Sequence, residues 1–500
     1  MKKYIFFLSV ITLMLFYSAC NNSSNDKKAD NNITLEQSPF NIRFMPRPPA
    51  DIDSNATPEQ LASFAWEELF ALNWKSSYPT NALRDSPDTT WDYTQPSPNL
   101  VVWETFGHRA ELRPWLNTML PFDKAPHYSF GISLKPLNPG DKLDLFNVLD
   151  ENNEIGSCNM YAFSKANQQP DPLNLVRYQA KVNRDEYEYI LGNFPDSNKL
   201  GVASAKTKAT LKKYKAYDTL GTPNSCDCKD KTVINLPCGG NTDPATQRII
   251  IGAMEIKTAW RPLTSMDDPS QFLTRTVVAF VPDSTNPGVV YYTNKVYGLI
   301  GMHIIHKTRN NEDFVFATWE QVNAEKDSMG YVLLNGSGLD AGTVHPAFPR
   351  LHPIAAITDS STSYAHSLLR QKNPKSVLLN YRLVGVQAKP TNNTDAYSFF
   401  LANAVVESDS TLANFRGSGI GTPHNARPNI LYRNNNMISM GGCQGCHGVA
   451  QGTLGTDFSF LLDNGNGKPV YSPDILNQNA GLAKRAAKIR AYMKATGSTQ

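Results

Sequence analysis

The chain has 500 residues, with 48 Lys and Arg against 45 Asp and Glu, a formal net charge of +3. A near-neutral surface without a Lys/Arg block gives no reason to invoke nucleic acid, and no nucleic-acid partner is expected. The length exceeds what one small core needs, and more than one domain is expected.

Residues 1–19, MKKYIFFLSVITLMLFYSA, join a basic pair (Lys2, Lys3) to a short apolar run and small residues before a cysteine. This is the pattern of a secretory signal peptide, and the run is short for a membrane span. Loss of Lys2 and Lys3 with the leader lowers the charge from +3 to +1. Tyr17-Ser18-Ala19-Cys20 resembles a bacterial lipoprotein box, with Tyr17 where Leu is usual. Acylated Cys20 would tether an exported protein to a membrane without spanning it; a plain secretory leader is the alternative. Asn21 rather than Asp follows the cysteine. By resemblance to lipoprotein sorting, this favours the outer membrane, facing periplasm or cell surface. Residues 21–33 are polar and of low complexity, and 20–56 read as lipidated tether and linker.

Residues 57–245 read as a helical and irregular N-terminal region. Thr57 suits an N-cap, Pro58 the first helical position and Gln60 a capping box, which predicts a helix from Pro58 to about Trp74. Trp66, Trp74, Trp91, Trp103 and Trp115 read as bulky core rather than an aromatic substrate platform. Residues 130–175 look loop-dominated. Asn183 and Glu186 start a second helix, closed by Gly192. Residues 217–245 are an irregular insertion that needs its disulfides to hold a shape. Cys158, Cys226, Cys228 and Cys238 predict two bridges, Cys158 to one of the C-x-C pair and Cys238 to the other. A metal held by the C-x-C and Cys238 is the competing reading.

Residues 246–390 read as a largely antiparallel β domain, with β-branched and aromatic runs at Ile249–Trp260, Thr276–Val281, Val289–His306, Phe314–Val322 and Val377–Ala388. Glu255 and Lys257 share one face of their strand, expected to be solvated. His303 and His306 are an odd number apart and fall on opposite faces.

Residues 391–500 read as a mostly α, cytochrome c-like haem domain, with a helix at Ala396–Glu407, a loop at Gly417–Pro428 and an amphipathic helix at Leu482–Lys494. The fold class is therefore α+β and multidomain. Cys443-Gln444-Gly445-Cys446-His447 is a C-x-x-C-H attachment motif for one covalent haem c. Each thiol adds to a haem vinyl group, and His447 supplies the proximal imidazole to iron. A thioredoxin-like pair lacks a βαβ context here, and a zinc site lacks a second ligand pair. Candidates for the distal iron ligand are Met437, Met440, Met493 and His303.

These features resemble a family of large exported bacterial cytochrome c proteins, often lipoproteins, with one haem motif near the C-terminus. The resemblance rests on Trp66-Glu67-Glu68-Leu69-Phe70-Ala71-Leu72-Asn73-Trp74, Glu255-Ile256-Lys257-Thr258-Ala259-Trp260 and Gly301-Met302-His303-Ile304. It continues through Leu401-Ala402-Asn403 with Glu407 to the haem motif. The family implies haem binding and electron transfer with a redox partner, and supplies no substrate. A haem peroxidase or oxygenase, with the β domain shaping the distal pocket, is the alternative. A binding module that uses the haem as sensor or relay is a third reading.

Overall fold

The computed structural model describes residues 38–474 except 117, 152–157, 163–175, 215–224, 245, 265–266, 284–285, 287–288, 325–328, 336–337, 340–344, 347–351, 394–395, 397, 408–430, 434–435, 439 and 463–468. The expected leader, Cys20, the loop at 417–428 and the helix at 482–494 with Met493 lie outside the described residues.

The β-branched and aromatic runs form a nine-stranded sheet. Its strands are β1 (Gly107–His108), β2 (Ser133–Pro136), β3 (Val148–Leu149), β4 (Arg177–Val182), β5 (Met254–Pro262), β6 (Thr274–Pro282), β7 (Val289–Thr308), β8 (Asn311–Gln321) and β9 (Tyr381–Gln387). The sheet hangs on β7, 20 residues long. The first half of β7 borders β6 and β2, and its second half borders β5 and β8. Beyond these, β4 and β1 follow β5, and β9 follows β8. Pairing is antiparallel except for β2 with β7 and β3 with β6. The fold is thus mixed α and β with a large antiparallel-rich sheet. Strands β1 to β4 come from the region expected to be helical, so the sheet runs across the boundary drawn at 245/246.

Alternation along the strands gives the sheet two apolar faces. Helices α1 (Pro58–Leu72), α2 (Arg184–Asn193), α3 (Ser197–Tyr214), α4 (Ala356–Lys372) and α5 (Gly442–Val449) cover them. Trp66 and Phe70 of α1 and Ala365 and Leu369 of α4 pack on Ile256, Met302, Ile304, Ala317 and Trp319. Tyr187 and Ile190 of α2 and Leu200 and Ala203 of α3 pack on the opposite face with Val182, Ile305 and Phe316. The α1 capping box forms as its sequence dictates: Thr57 N donates to Gln60 Oε1 at 2.8 Å, and Gln60 N to Thr57 Oγ1 at 3.3 Å. Among the described helices, none is long and apolar enough to cross a membrane.

Several local expectations change. Phe40 and Ile42 are buried in the core, and Arg43 bonds Glu67 at 2.7 Å, so the chain is already folded before the predicted end of its linker at 56. Trp66, Trp74, Trp91 and Trp103 are core, but Trp115 is 42 % exposed and meets Tyr471 edge-on. Residues 399–407 form turns rather than a helix. Asn403 Oδ1 accepts from Val405 N at 3.0 Å and Glu407 Oε2 from Asn403 N at 2.6 Å, so side chains take amides that a helical ladder would use. Cys226 and Cys238 are bridged and Cys228 is a free thiol. The second predicted bridge to Cys228 is absent, and the bridge takes two of the three sulfurs that a metal would have needed.

Candidate functional site

Strand register sets out the floor of the site. One row across the sheet is Val182, Glu255, Ile305, Phe316 and Gln387. The next row on the same face is Ala180, Lys257, His303, Thr318 and Gly385. The odd separation of His303 and His306 places them on opposite faces, as predicted. His306 turns toward α1, where Nδ1 meets Glu68 Oε1 at 2.6 Å, and it is fully buried.

Helix α5, which carries the C-x-x-C-H motif, docks on this floor. Gln444 N donates to Gln387 Oε1 at 2.7 Å, and Gln387 Nε2 donates to Gly441 O at 3.3 Å. Gln444 Nε2 in turn reaches the carbonyls of Asp313 at 3.3 Å and Phe314 at 3.2 Å. Gly442 has φ +73°, and a Cβ there would stand 2.5 Å from Gln387 Nε2, so both conformation and space call for glycine.

Within α5, Cys443 and Cys446 are unbridged thiols, partly buried. Burial pushes the Cys443 thiol well up, and the charge of Glu407 adds to it. His447 packs between Phe316 and Phe460, with ring centroids 5.0 and 4.9 Å away. Its Nδ1 donates to Phe458 O at 2.6 Å, which leaves Nε2 as the lone-pair nitrogen. Burial lowers the His447 pKa to about 4 against that hydrogen bond, with the charges of His303 and Lys257 adding to the fall. The imidazole is therefore neutral at physiological pH.

Around the motif lies a charged setting that the solvated-face reading of Glu255 and Lys257 did not anticipate. Glu255 is 4 % exposed and faces Ser459 and Glu186. Burial raises Glu255 to about 7, and burial together with Glu255 raises Glu186 well above the usual range. Each of these buried carboxyls disfavours the charged form of the other. Lys257 bonds Glu151, Glu151 meets Arg109 at 3.0 Å, and Arg109 meets Asp150 at 2.7 Å. His303 Nε2 lies 3.3 Å from Glu407 Oε1.

Of the distal-ligand candidates, Met440 is 1 % exposed and packs against Phe399 and Phe400. Met437 belongs to the short strand Asn436–Ile438, and its side chain lies outside the described residues. His303 lies close enough to His447 for its charge to act on that ring. Gln387, Gln444, Lys307, Asp457 and Phe458 were not singled out from sequence. Gln387, Gln444, Lys307 and Asp457 act through pairing across 57 to 150 residues and the Phe458 carbonyl across 11, which no local pattern carries.

No family model, no curated protein and no solved structure matches this chain.

Proposed function

We propose that the chain is a c-type cytochrome of the large exported lipoprotein kind. One haem is bound covalently through Cys443 and Cys446, and His447 is the proximal iron ligand. Cys20 is the lipid attachment point, and the protein passes single electrons outside the cytoplasm, at the outer membrane. The observation that carries this reading is the commitment of His447 Nδ1 to Phe458 O. A metal-bound histidine ordinarily donates its other ring N–H in this way, which fixes the tautomer and strengthens the ligand.

The remaining residues fit the group. Two unbridged thiols sit three residues apart on α5, with the histidine next in sequence. Phe316 and Phe460 supply apolar walls beside the imidazole. Gln387 and Gln444 hold the helix to a rigid sheet, which keeps reorganisation small when charge changes. When bound, the haem would supply a one-electron iron couple.

A second reading is a haem peroxidase or oxygenase, favoured by the His303–Glu407 pair beside the motif. Such a pair could hold or move a proton at His303 Nε2, beside which a bound haem would supply the redox chemistry. Mass spectrometry and optical spectra of the matured protein test both. Covalent haem that resists acid–acetone extraction, becoming extractable in Cys443→Ala and Cys446→Ala, is the expected result. A colourless mature protein would overturn the proposal. Fast cyanide binding to a high-spin ferric form would move the function from carrier to enzyme.

A further inference from the structure

The carbonyl that receives the His447 proton sits in an unusual turn. Asp457 has φ +53° and Phe458 φ +67°, both in the left-handed region, and neither is glycine. Such conformations are disfavoured for side-chain-bearing residues and persist where their surroundings over-determine them. Here the surroundings are a fully buried ion pair and the insertion at 226–238. Lys307 Nζ donates to Asp457 Oδ2 at 2.7 Å, and both side chains are 0 % exposed. Leu236 N donates to the same oxygen at 2.6 Å, and Lys307 Nζ also reaches Asn235 Oδ1 at 3.0 Å.

Asn235 and Leu236 are themselves fixed. The Cys226–Cys238 bridge closes the loop that contains them. Cys226 N donates to Glu312 Oε1 at 2.8 Å, and Gly239 N donates to Lys307 O at 3.0 Å, so both ends are tied to β7 and β8. A continuous set of contacts therefore runs from the disulfide through Leu236 and Asp457 to Phe458 O and the His447 ring.

We infer that the disulfide-closed loop 226–238 and the Lys307–Asp457 pair form a clamp that positions His447, fixing its tautomer and its donor strength. The inference builds on the reading of His447 as an iron ligand. Lys307 and Asp457 are positioning residues, acting through the Phe458 carbonyl. A buried ion pair is a poor source of net stability, and holding one specific geometry is its better-attested use. A carbonyl held against Nδ1–H pushes electron density toward Nε2, which makes the imidazole a stronger donor.

The test uses mature full-length protein with selectively 15N-labelled histidine. In the parent protein the His447 ring is expected as one Nδ1–H tautomer whose proton exchanges slowly. Asp457→Asn, and the Cys226→Ser/Cys238→Ser pair with the ion pair intact, should speed that exchange at least tenfold. Asp457→Asn leaves Lys307 buried without its carboxylate, so the double variant Lys307→Met/Asp457→Asn guards against simple unfolding. Where haem is present, the ferrous iron–histidine vibration should fall in frequency and the reduction potential should rise in the same variants. Unchanged His447 exchange in the folded double variant and in the disulfide-free variant would overturn the clamp. A mature protein without haem would instead refute the ligand reading, and the exchange measurement would still decide the clamp.

Discussion

Gln387, near the end of the last sheet strand, accepts the backbone N–H of Gln444 at 2.7 Å, and so ties the interior of the C-x-x-C motif to the sheet. The same side chain donates to Ser398 O and Gly441 O, so one amide satisfies three backbone groups around the start of α5. Gln387→Ala would strand those groups in a buried setting, at a cost of about 2–3 kcal/mol. The expected outcome is a lower denaturation midpoint together with less covalent haem per chain. Normal haem content in a destabilised variant would show that Gln387 supports the fold and not the motif.

Much of the sheet was legible because its strands alternate. The runs read at 276–281, 289–306 and 314–322 match β6, β7 and β8 to within a few residues. Residues 133–136, 148–149 and 177–182 escaped because short strands that gain pairing from distant partners carry little periodicity of their own. The helix at Ala356–Lys372 was also missed; its Thr and Ser content, with an Ala at the N-cap, gives no start signal. The motif carries a local sequence pattern, whereas its setting does not. Glu255 and Lys257 look like any alternating polar positions until distant groups, Glu186 and Ser459 among them, gather around Glu255 in the buried interior.

The acid pair predicts a pH dependence with a definite sign. Glu255 is raised from 4.5 to about 7 by burial, and Glu186 is raised in the same direction. The native state therefore binds more protons than the unfolded chain in this interval. The stability this contributes is full below pH 4.5 and is lost as pH rises through about 7, on the order of 1–3 kcal/mol. Glu186→Gln should shrink that loss, seen as a smaller drop in urea midpoint between pH 5 and 8. An equal drop in parent and variant would remove the pair from the account.

His366 works in the opposite sense. Burial lowers its pKa from 6.5 to about 4, and its Nε2 bonds Tyr381 O at 2.8 Å. The unfolded chain binds more protons here, so stability is present above pH 6.5 and lost as pH falls toward about 4. His366→Gln keeps a donor for Tyr381 O without a titrating ring. It should flatten the acid limb by on the order of 2–3 kcal/mol, measured as denaturation midpoints at pH 4.5 and 7. An unaltered acid limb would assign the loss to other groups.

Met440 and His303 separate packing from coordination. Met440 is 1 % exposed against Phe399 and Phe400, where a thioether fills an aromatic gap. His303 lies in the sheet row beside Lys257 and Thr318, close enough to act on His447, with Glu407 3.3 Å from its Nε2. Met440→Leu conserves volume, so it should cost less than about 1.5 kcal/mol and leave the ferric spectrum unchanged. His303→Ala should change that spectrum and quicken cyanide binding if the ring ligates iron. Under the enzyme reading it should slow reaction with peroxide instead, without changing the spin state. Either result makes His303 the group that decides between carrier and catalyst. A variant series in which Met440→Leu loses the low-spin spectrum and His303→Ala keeps it would hand the distal position to the methionine. The Phe399 and Phe400 cluster would then have to open for haem to reach it, which the sheet-bound turns at 399–407 resist through Asn403 and Thr318.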